Sequence, residues 1–213
     1  MKSKKIFSVG LLSLCSFITW TILVCLVDVS AIGPKGSSVG FSGLNRYVHE
    51  LTGTNMMLYT VTDWLGLVPI AVALGFAIFG LVQWIKRRRL FAVDRSIFAL
   101  GGFYIAVITV YIFFEFAVIN YRPVLINGYL EASYPSSTTM LVLCVMPTAI
   151  MQLCDRIQHS TLKKIVFIFI SAFIAFMVIG RIISGVHWIS DIIGGVLVSI
   201  GLVSIYYALT QEK

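Results

Sequence analysis

The sequence predicts an all-α polytopic membrane protein with six transmembrane helices and a short interfacial helix in its first outer loop. Hydrophobic residues make up 59% of the 213 residues, charged residues make up only 12%, and the mean hydropathy is +0.96. A soluble globular domain carries about 25% charged residues, roughly twice this fraction. The composition leaves no room for a separate soluble domain, so we expect residues 1–213 to form one membrane-embedded domain.

The spans follow from length and apolarity, because a helix that crosses the hydrocarbon core needs about 20 mostly apolar residues. Six segments meet this requirement, at about residues 6–27, 61–85, 96–119, 137–154, 165–184 and 188–209. The fourth contains Pro147, which makes its ends the hardest to predict. A signal peptidase could cleave after the first, near Ala31, but its apolar stretch is long for a signal peptide, and we expect it to be retained.

Lysine and arginine residues cluster on one side of these segments. Twelve of the sixteen fall there, and they are Lys2, Lys4, Lys5, Lys86, Arg87, Arg88, Arg89, Arg95, Arg156, Lys163, Lys164 and Lys213. Cytoplasmic loops of membrane proteins carry this excess of basic residues. We therefore expect a multi-pass protein of the cell membrane with both termini in the cytoplasm. The net charge of +7 then reports topology and does not indicate a nucleic-acid partner.

The outer loop between the first two spans, about residues 28–60, is the only long connection. Leu44, Tyr47, Val48 and Leu51 recur in it at helical spacing and form one apolar stripe. Such a stripe predicts a short helix lying at the membrane interface. The four cysteines all fall in apolar segments without paired spacing, so we interpret them as packing residues and not as metal ligands or disulfides.

Candidate functional residues gather at the junction of the last two spans. His187 and Asp191 are four residues apart, which places both on one helical face. The carboxylate can hold one ring nitrogen and leave the other free as a nucleophile. Arg181, six residues before the histidine, can hold an anion for it to attack. This pattern points to phosphoryl chemistry at a membrane surface.

Two other polar segments fall on the same, outer side of the membrane. Arg122-Pro123 follows the third span, and Pro135-Ser136-Ser137-Thr138 opens the fourth. Ionisable groups at such depths are costly and usually mark function. A second guanidinium would grip phosphate oxygens, and a helix N-terminus capped by Ser136 would present free backbone N–H groups. Asp63, near the outer end of the second span, could border this site.

These residues resemble the type-2 phosphatidic acid phosphatase superfamily, the lipid phosphate phosphatases. That family carries the motifs Lys-x6-Arg-Pro, Pro-Ser-Gly-His and Ser-Arg-x5-His-x3-Asp. In the same order, this chain has Glu115-x6-Arg122-Pro123, Pro135-Ser136-Ser137-Thr138 and Gly180-Arg181-x5-His187-x3-Asp191. The resemblance implies that His187 forms a phospho-histidine, that Asp191 orients it, and that no metal or cofactor takes part. It implies phosphate binding by Arg122, Arg181, Ser136, Ser137 and Thr138.

Two departures from the family pattern bear on catalysis. Glu115 stands where the family has lysine, and Thr138 stands where the family has the histidine that protonates the leaving group. Loss of a general acid typically costs about 10²–10⁴-fold in rate. A diphosphate suffers less from this loss than a phosphate monoester, because phosphate leaves well without a proton. We therefore expect undecaprenyl diphosphate to be favoured over phosphatidic acid.

Several roles stay open for the acidic and basic residues nearby. Glu115 is interpreted first as a structural carboxylate paired with an arginine such as Arg122. The alternatives are a protonated Glu115 that acts as the acid, a divalent cation that bridges Glu115 and a diphosphate, and His49 folded over the site. The expected function is a membrane lipid phosphatase acting on a lipid phosphate among membrane lipids. A lipid phosphotransferase and a catalytically silent lipid-phosphate binder are the rivals.

Overall fold

The computed structural model describes residues 2–211, and the elements it contains there are helical. The α-helices are α1 (Lys2–Leu26), α2 (Ser42–Thr52), α3 (Met56–Leu65), α4 (Leu67–Arg87), α5 (Arg95–Phe116), α6 (Ser137–Arg156), α7 (Ser160–Ile183) and α8 (Ile189–Gln211). Short 3₁₀ turns lie at Pro34–Gly36 and Leu90–Ala92. Lys213, one of the basic residues used to predict orientation, lies outside the described residues.

Six stretches are long and apolar enough to cross a membrane, which confirms the predicted all-α, six-span architecture. They are Ser3–Leu26, Met56–Arg87, Arg95–Phe116, Ser137–Arg156, Ser160–Ile183 and Ile189–Gln211. The protein is thus a multi-pass membrane protein. Because the chain crosses an even number of times, both described ends lie at one end of the bundle. The loops that carry the candidate site lie at the other end.

The second span differs most from the predicted segment. It begins at Met56, before the expected start at about residue 61, and Gly66 divides it into α3 and α4. Pro69 explains the break, because proline has no N–H to donate to the carbonyl of Leu65 and its ring crowds that carbonyl. As a result α3 is a separate short helix, and its residues Tyr59, Thr62 and Asp63 contact Arg181 at the candidate site.

Helix α1 packs along α8 through small residues. A side chain at Gly10 would approach the Gly201 carbonyl to 3.0 Å, so glycine at this position allows the two backbones to come close. Polar groups join the same helices, since Ser13 Oγ donates to the Leu197 carbonyl at 2.8 Å and Trp20 Nε1 donates to the Ser190 carbonyl at 3.0 Å. Helix α1 is therefore a packed member of the bundle.

Helices α6 and α8 form the centre of the bundle. Within their spanning stretches, 56% of the α6 residues and 44% of the α8 residues are buried, against 6–28% for the other four spans. Met140, Cys144, Val198 and Tyr206 belong to the main core cluster between them. The peripheral helices expose large apolar side chains, as expected where helices face lipid. The segment before α6 and the connection before α8 are therefore attached to the most buried helices of the bundle.

Helix α2 lies in the loop between the first two spans, where the sequence predicts an interfacial helix. Leu44, Tyr47 and Leu51 are exposed on it, whereas Val48 is half-buried. The opposite side of the helix is anchored by Asn45, which is fully buried and donates to Ser190 Oγ at 3.0 Å while accepting from the Ser190 N–H at 3.1 Å. The helix thus turns an apolar face outward and a polar face towards the start of α8.

Candidate functional site

A hairpin-like loop after α5 delivers Arg122 to the site. Asn127 and Gly128 have φ values of 51° and 83°, the pair of positive angles that a type I′ turn requires. The chain then runs back antiparallel to itself, and the Arg122 N–H donates to the Glu131 carbonyl at 3.0 Å. This return places Ser133 beside His187 and leads directly into α6.

His187 lies in the short connection between α7 and α8, and it is 5% exposed. Its Nε2 is 3.3 Å from Arg122 Nη1 and 3.4 Å from Arg181 Nη2. Its Nδ1 is 3.2 Å from the Ser133 carbonyl oxygen, which can only accept a hydrogen bond. The proton of the neutral ring therefore belongs on Nδ1, and the lone pair of Nε2 faces the two guanidiniums.

The charge state of His187 supports the same tautomer. Burial, together with the charges of Arg122 and Arg181, holds the pKa of His187 well below its usual value of 6.5. The imidazole is consequently neutral at neutral pH. A neutral ring with an unprotonated Nε2 at a cationic site has the properties that a nucleophile towards phosphorus needs.

Asp191 is fully buried in the first turn of α8, on the Nδ1 side of the His187 ring. Its Oδ2 is 3.8 Å from His187 Nδ1, which is beyond hydrogen-bond distance, and the Ser133 carbonyl is the nearer partner. Asn120 Nδ2 donates to Asp191 Oδ1 at 3.0 Å, and the Trp188 N–H donates to Oδ2 at 3.1 Å. The carboxylate is thus held rigidly where it can act on the ring through its charge.

The two arginines are buried and only partly neutralised. Arg122 Nε lies 3.1 Å from Glu131 Oε2, within ion-pair distance but not aligned as a hydrogen bond. Arg181 Nη2 lies 3.7 Å from Asp63 Oδ1, and its Nη1 donates to Thr62 Oγ1 at 3.3 Å. Among the described residues, the Nε atoms of both arginines have no hydrogen-bond partner. Donors of this kind are suited to the oxygens of an anion.

Tyr59 on α3 faces both arginines. The centre of its ring is 5.1 Å from the Arg181 guanidinium carbon and 5.8 Å from that of Arg122. Cation–π attraction operates at such distances, and it holds two like charges on one aromatic surface. Helix α3 therefore contributes a wall to the site.

The segment before α6 packs closely against α8. The Ser136 N–H donates to the Asp191 carbonyl at 3.0 Å, and a side chain at Gly195 would come within 3.1 Å of the Ser136 carbonyl. Ser136 is the N-cap residue of α6, as the sequence predicts, but its Oγ bonds to Thr139 Oγ1 at 3.0 Å and caps no N–H group. The first-turn N–H groups of α6 thus have no capping bond from this side chain.

Ser137 and Thr138, which the sequence predicts to bind phosphate, lie in the first turn of α6. Thr138 is buried, and its methyl group would contact a Cβ at Gly66, at 3.4 Å, beside the α3–α4 break. Ser137 lines a small crevice with Glu115, Tyr111 and Ser133. Among the described residues, neither side chain makes a hydrogen bond to His187 or to an arginine.

Glu115 does not pair with Arg122, so the interpretation as its structural partner is wrong. Glu115 is exposed on the last turn of α5 and makes no ion pair among the described residues. The antiparallel return of the loop brings Glu131 across from Arg122 instead, and Glu131 takes the position of the ion-pair partner. The sequence gives no hint of this exchange, because the turn at Asn127-Gly128 sets which residues face each other.

His49 comes closer to the site than its place in the outer loop requires. Its ring contacts the Trp188 indole, with 5.5 Å between the ring centres, and it lines a narrow crevice together with His187. Burial lowers the pKa of His49, an effect that Glu50 opposes. Its Nδ1 is buried without a hydrogen-bond partner among the described residues.

Sequence reasoning missed several residues that contact His187, Asp191 or the two arginines. They are Tyr59, Thr62, Asn120, Glu131 and Ser133. Asn120, two residues before an arginine at the end of a span, is a polar residue in an apolar stretch and could have been noticed. The others act through helix placement and loop register, which no local pattern reveals.

The fold and this site together define a polytopic membrane protein with a neutral histidine between two buried arginines at one end of its helices. The family model described as the PAP2 superfamily matches residues 102–213, which is more than half of the chain, and the chain belongs to that superfamily. Helix α3 and its residues lie outside the matched region.

One solved structure shares the fold along nearly the whole length. It is described as the crystal structure of the first transmembrane PAP2 type phosphatidylglycerolphosphate phosphatase from Bacillus subtilis. The TM-score is 0.59, the sequence identity is 17%, and 94% of each chain is covered. At this identity the likeness concerns the fold. No curated protein matches the chain.

Proposed function

We propose that this chain is a membrane phosphatase that removes phosphate from a lipid phosphate or diphosphate through a phospho-histidine on His187. The observation that carries the proposal is the position of His187 Nε2, which is 3.3–3.4 Å from two guanidinium nitrogens. Membership of the PAP2 superfamily and the activity named for the structural neighbour support a lipid phosphatase.

In the first step, the guanidiniums of Arg122 and Arg181 bind the non-bridging oxygens of the substrate phosphate. Nε2 of His187 then attacks phosphorus, and the bond from phosphorus to the leaving oxygen breaks. Fixed guanidiniums stabilise the charge that develops on the transferred group. Because Nδ1 keeps its proton, the phosphorylated ring is positively charged, and the nearby carboxylate of Asp191 stabilises it. Water then hydrolyses the phospho-histidine and regenerates the neutral ring.

Undecaprenyl diphosphate is the substrate that this chemistry favours. Thr138 lies where the family has its proton donor, and threonine cannot deliver a proton as an imidazolium does. A diphosphate expels a phosphate monoester, which is a far better leaving group than the alkoxide of phosphatidate. The excess of basic residues at the other end of the bundle supports cytoplasmic termini and an active site on the outer face.

A silent binder of lipid phosphates remains the second candidate. Glu115 and Thr138 favour it, because both replace groups that the family uses. The intact histidine, carboxylate and arginine pair favour catalysis. A phosphotransferase would use the same intermediate and pass the phosphoryl group to another lipid or sugar instead of water.

Phosphate release from purified protein in detergent tests the proposal. The substrates are undecaprenyl diphosphate, phosphatidate and phosphatidylglycerol phosphate, and the variants are His187→Ala and His159→Ala. His159 is exposed in the loop between α6 and α7, at the far end of the bundle, and serves as the matched control. We expect release from the diphosphate by wild type and His159→Ala, and none by His187→Ala.

Each other outcome points elsewhere. Binding of the diphosphate without release by the wild type would support the silent binder. Phosphate release that falls on addition of alcohol or sugar acceptors, with new phosphorylated products in its place, would support the phosphotransferase. Faster cleavage of phosphatidate than of the diphosphate would contradict the leaving-group argument.

A further inference from the structure

Tyr59 is fixed at the phosphate-binding end of the site by the anchoring of α3. The Asn55 N–H donates to the Ser184 carbonyl at 2.9 Å, and the Asn55 side chain caps the helix by accepting from the Leu58 N–H at 2.9 Å. One turn after Tyr59, Thr62 accepts a hydrogen bond from Arg181. Both ends of α3 are therefore tied to the segment that carries the catalytic residues.

The Tyr59 hydroxyl is available for a ligand. Other deeply placed tyrosines use their hydroxyls, since Tyr134 bonds to Thr21 at 2.7 Å and Tyr206 accepts from Gln152 at 2.7 Å. Among the described residues, the Tyr59 hydroxyl has no such bond, and its ring lies against the two guanidiniums. The charged groups around it are Arg122, Asp63, Glu131 and Arg181. The Tyr59 ring thus lies beside the two guanidiniums that we propose bind phosphate, and its hydroxyl has no hydrogen-bond partner among the described residues.

Expulsion of an alkoxide, as from phosphatidate, needs a proton donor that the residues already assigned do not supply. His187 Nε2 is consumed as the nucleophile, and the Ser136 hydroxyl is bonded to Thr139. Glu115 is exposed and contacts neither arginine, and His49 packs against Trp188. Tyrosine is one of the side chains that act as general acids in enzymes.

We propose that the Tyr59 hydroxyl protonates the leaving oxygen of the substrate, an inference that rests on the phosphatase function proposed above. As Nε2 of His187 bonds to phosphorus, the bond from phosphorus to the leaving oxygen breaks, and the Tyr59 proton moves to that oxygen. In the second step water attacks phosphorus, the P–N bond breaks, and the phenolate takes the proton that the water loses. The enzyme returns to its starting protonation state.

The two guanidiniums beside the Tyr59 ring provide positive charge for a transient phenolate. The guanidinium carbon of Arg181 lies 5.1 Å from the ring centre and that of Arg122 lies 5.8 Å from it, and opposite charges at this range attract each other. A phenol, with a reference pKa of about 10, is a weaker acid than an imidazolium, at about 6.5. Tyr59 therefore assists the expulsion of an alkoxide only in part, and diphosphates remain the better substrates.

The substitution Tyr59→Phe isolates the hydroxyl, because phenylalanine keeps the ring and its contact with both guanidiniums. We expect kcat on phosphatidate to fall by about 10²-fold or more, and kcat on undecaprenyl diphosphate to fall by less than about fivefold. Tyr129→Phe is the matched control, since Tyr129 is 73% exposed on the hairpin turn. This control also removes one tyrosine hydroxyl, and we expect it to leave both rates unchanged. Elution profile and binding of vanadate report whether each variant keeps its fold and its phosphate site.

The selectivity of the loss distinguishes a proton donor from a positioning residue. An equal fall on both substrates would mean that Tyr59 only places the arginines, and unchanged rates would mean that its hydroxyl has no role. Either result overturns the proposal, as does a wild type that cleaves only the diphosphate. A substrate-selective loss in His49→Gln or Glu115→Gln, without one in Tyr59→Phe, would transfer the role to that residue. A wild type inactive on every substrate would overturn the proposed function as well.

Discussion

Replacing Asn120 tests whether the orientation of the buried carboxylate matters for catalysis. In Asn120→Ala, Asp191 loses its donor at 3.0 Å and keeps the Trp188 N–H at 3.1 Å and the Ser190 hydroxyl at 3.4 Å. A hydrogen bond to a charged group contributes about 1.5–3 kcal/mol. About 1.4 kcal/mol corresponds to a factor of ten in rate. If the whole energy of this hydrogen bond is lost from the transition state, kcat falls roughly 10- to 100-fold.

The assay is kcat for phosphate release from undecaprenyl diphosphate, together with the Tm of each variant. Gln83→Ala is the matched control, because Gln83 is also buried and donates to a carboxylate, Asp94, at 2.8 Å, but at the other end of the bundle. We expect both variants to lose stability and only Asn120→Ala to lose activity. Equal activity in the two variants would refute the view that Asp191 must be held in place for the chemistry.

Three further perturbations test other features of the site. Because the pKa of His187 is lowered, its Nε2 stays unprotonated below pH 6.5. We expect kcat/KM of the wild type to be constant from about pH 8 to pH 6.5 and to fall only at lower pH. An inflection at about pH 6.5 would contradict the argument that burial lowers this pKa. Gly185→Ala places a Cβ against the Gly53 carbonyl at φ +63°, so its Tm should fall by an amount corresponding to more than about 1 kcal/mol, while Gly101→Ala, in open space, leaves it unchanged or higher. Glu131→Gln removes a half-exposed ion pair with Arg122 that is worth up to about 1 kcal/mol. Because Arg122 is then free to bind phosphate, we expect KM to fall by up to about fivefold and kcat to change little. A rise in KM would show instead that Glu131 positions the arginine.

The sequence was sufficient to predict the six-span fold and to place His187 beside Arg122 and Arg181. Six apolar stretches predict six spans because the bilayer imposes one length scale on every segment. Arg181 lies in the last turn of α7, and His187 follows six residues later in the connection to α8, so local spacing alone brings them together. Arg122 joins them as expected from its place after the third span.

The partners of these residues could not be predicted in the same way. Tyr59 contacts the arginines from α3, the short helix that ends at Leu65 before Gly66, and it does so across more than 60 residues of sequence from Arg122. Glu131 replaces Glu115 as the partner of Arg122 because a two-residue turn sets the register of the loop. Both contacts depend on how separate segments pack in three dimensions. A pattern of residue types along the chain does not contain that information.

The two guanidiniums are held by the Tyr59 ring and by partial ion pairs with Asp63 and Glu131. Under the proposed function, these same groups would bind both the phosphate of a substrate and the free phosphate released at the end of a turnover. Tighter binding of the substrate phosphate would therefore also slow the release of the last product. If the mouth of the site opens to the outside, as we propose, the phosphate concentration there would set how much of the protein is free to act.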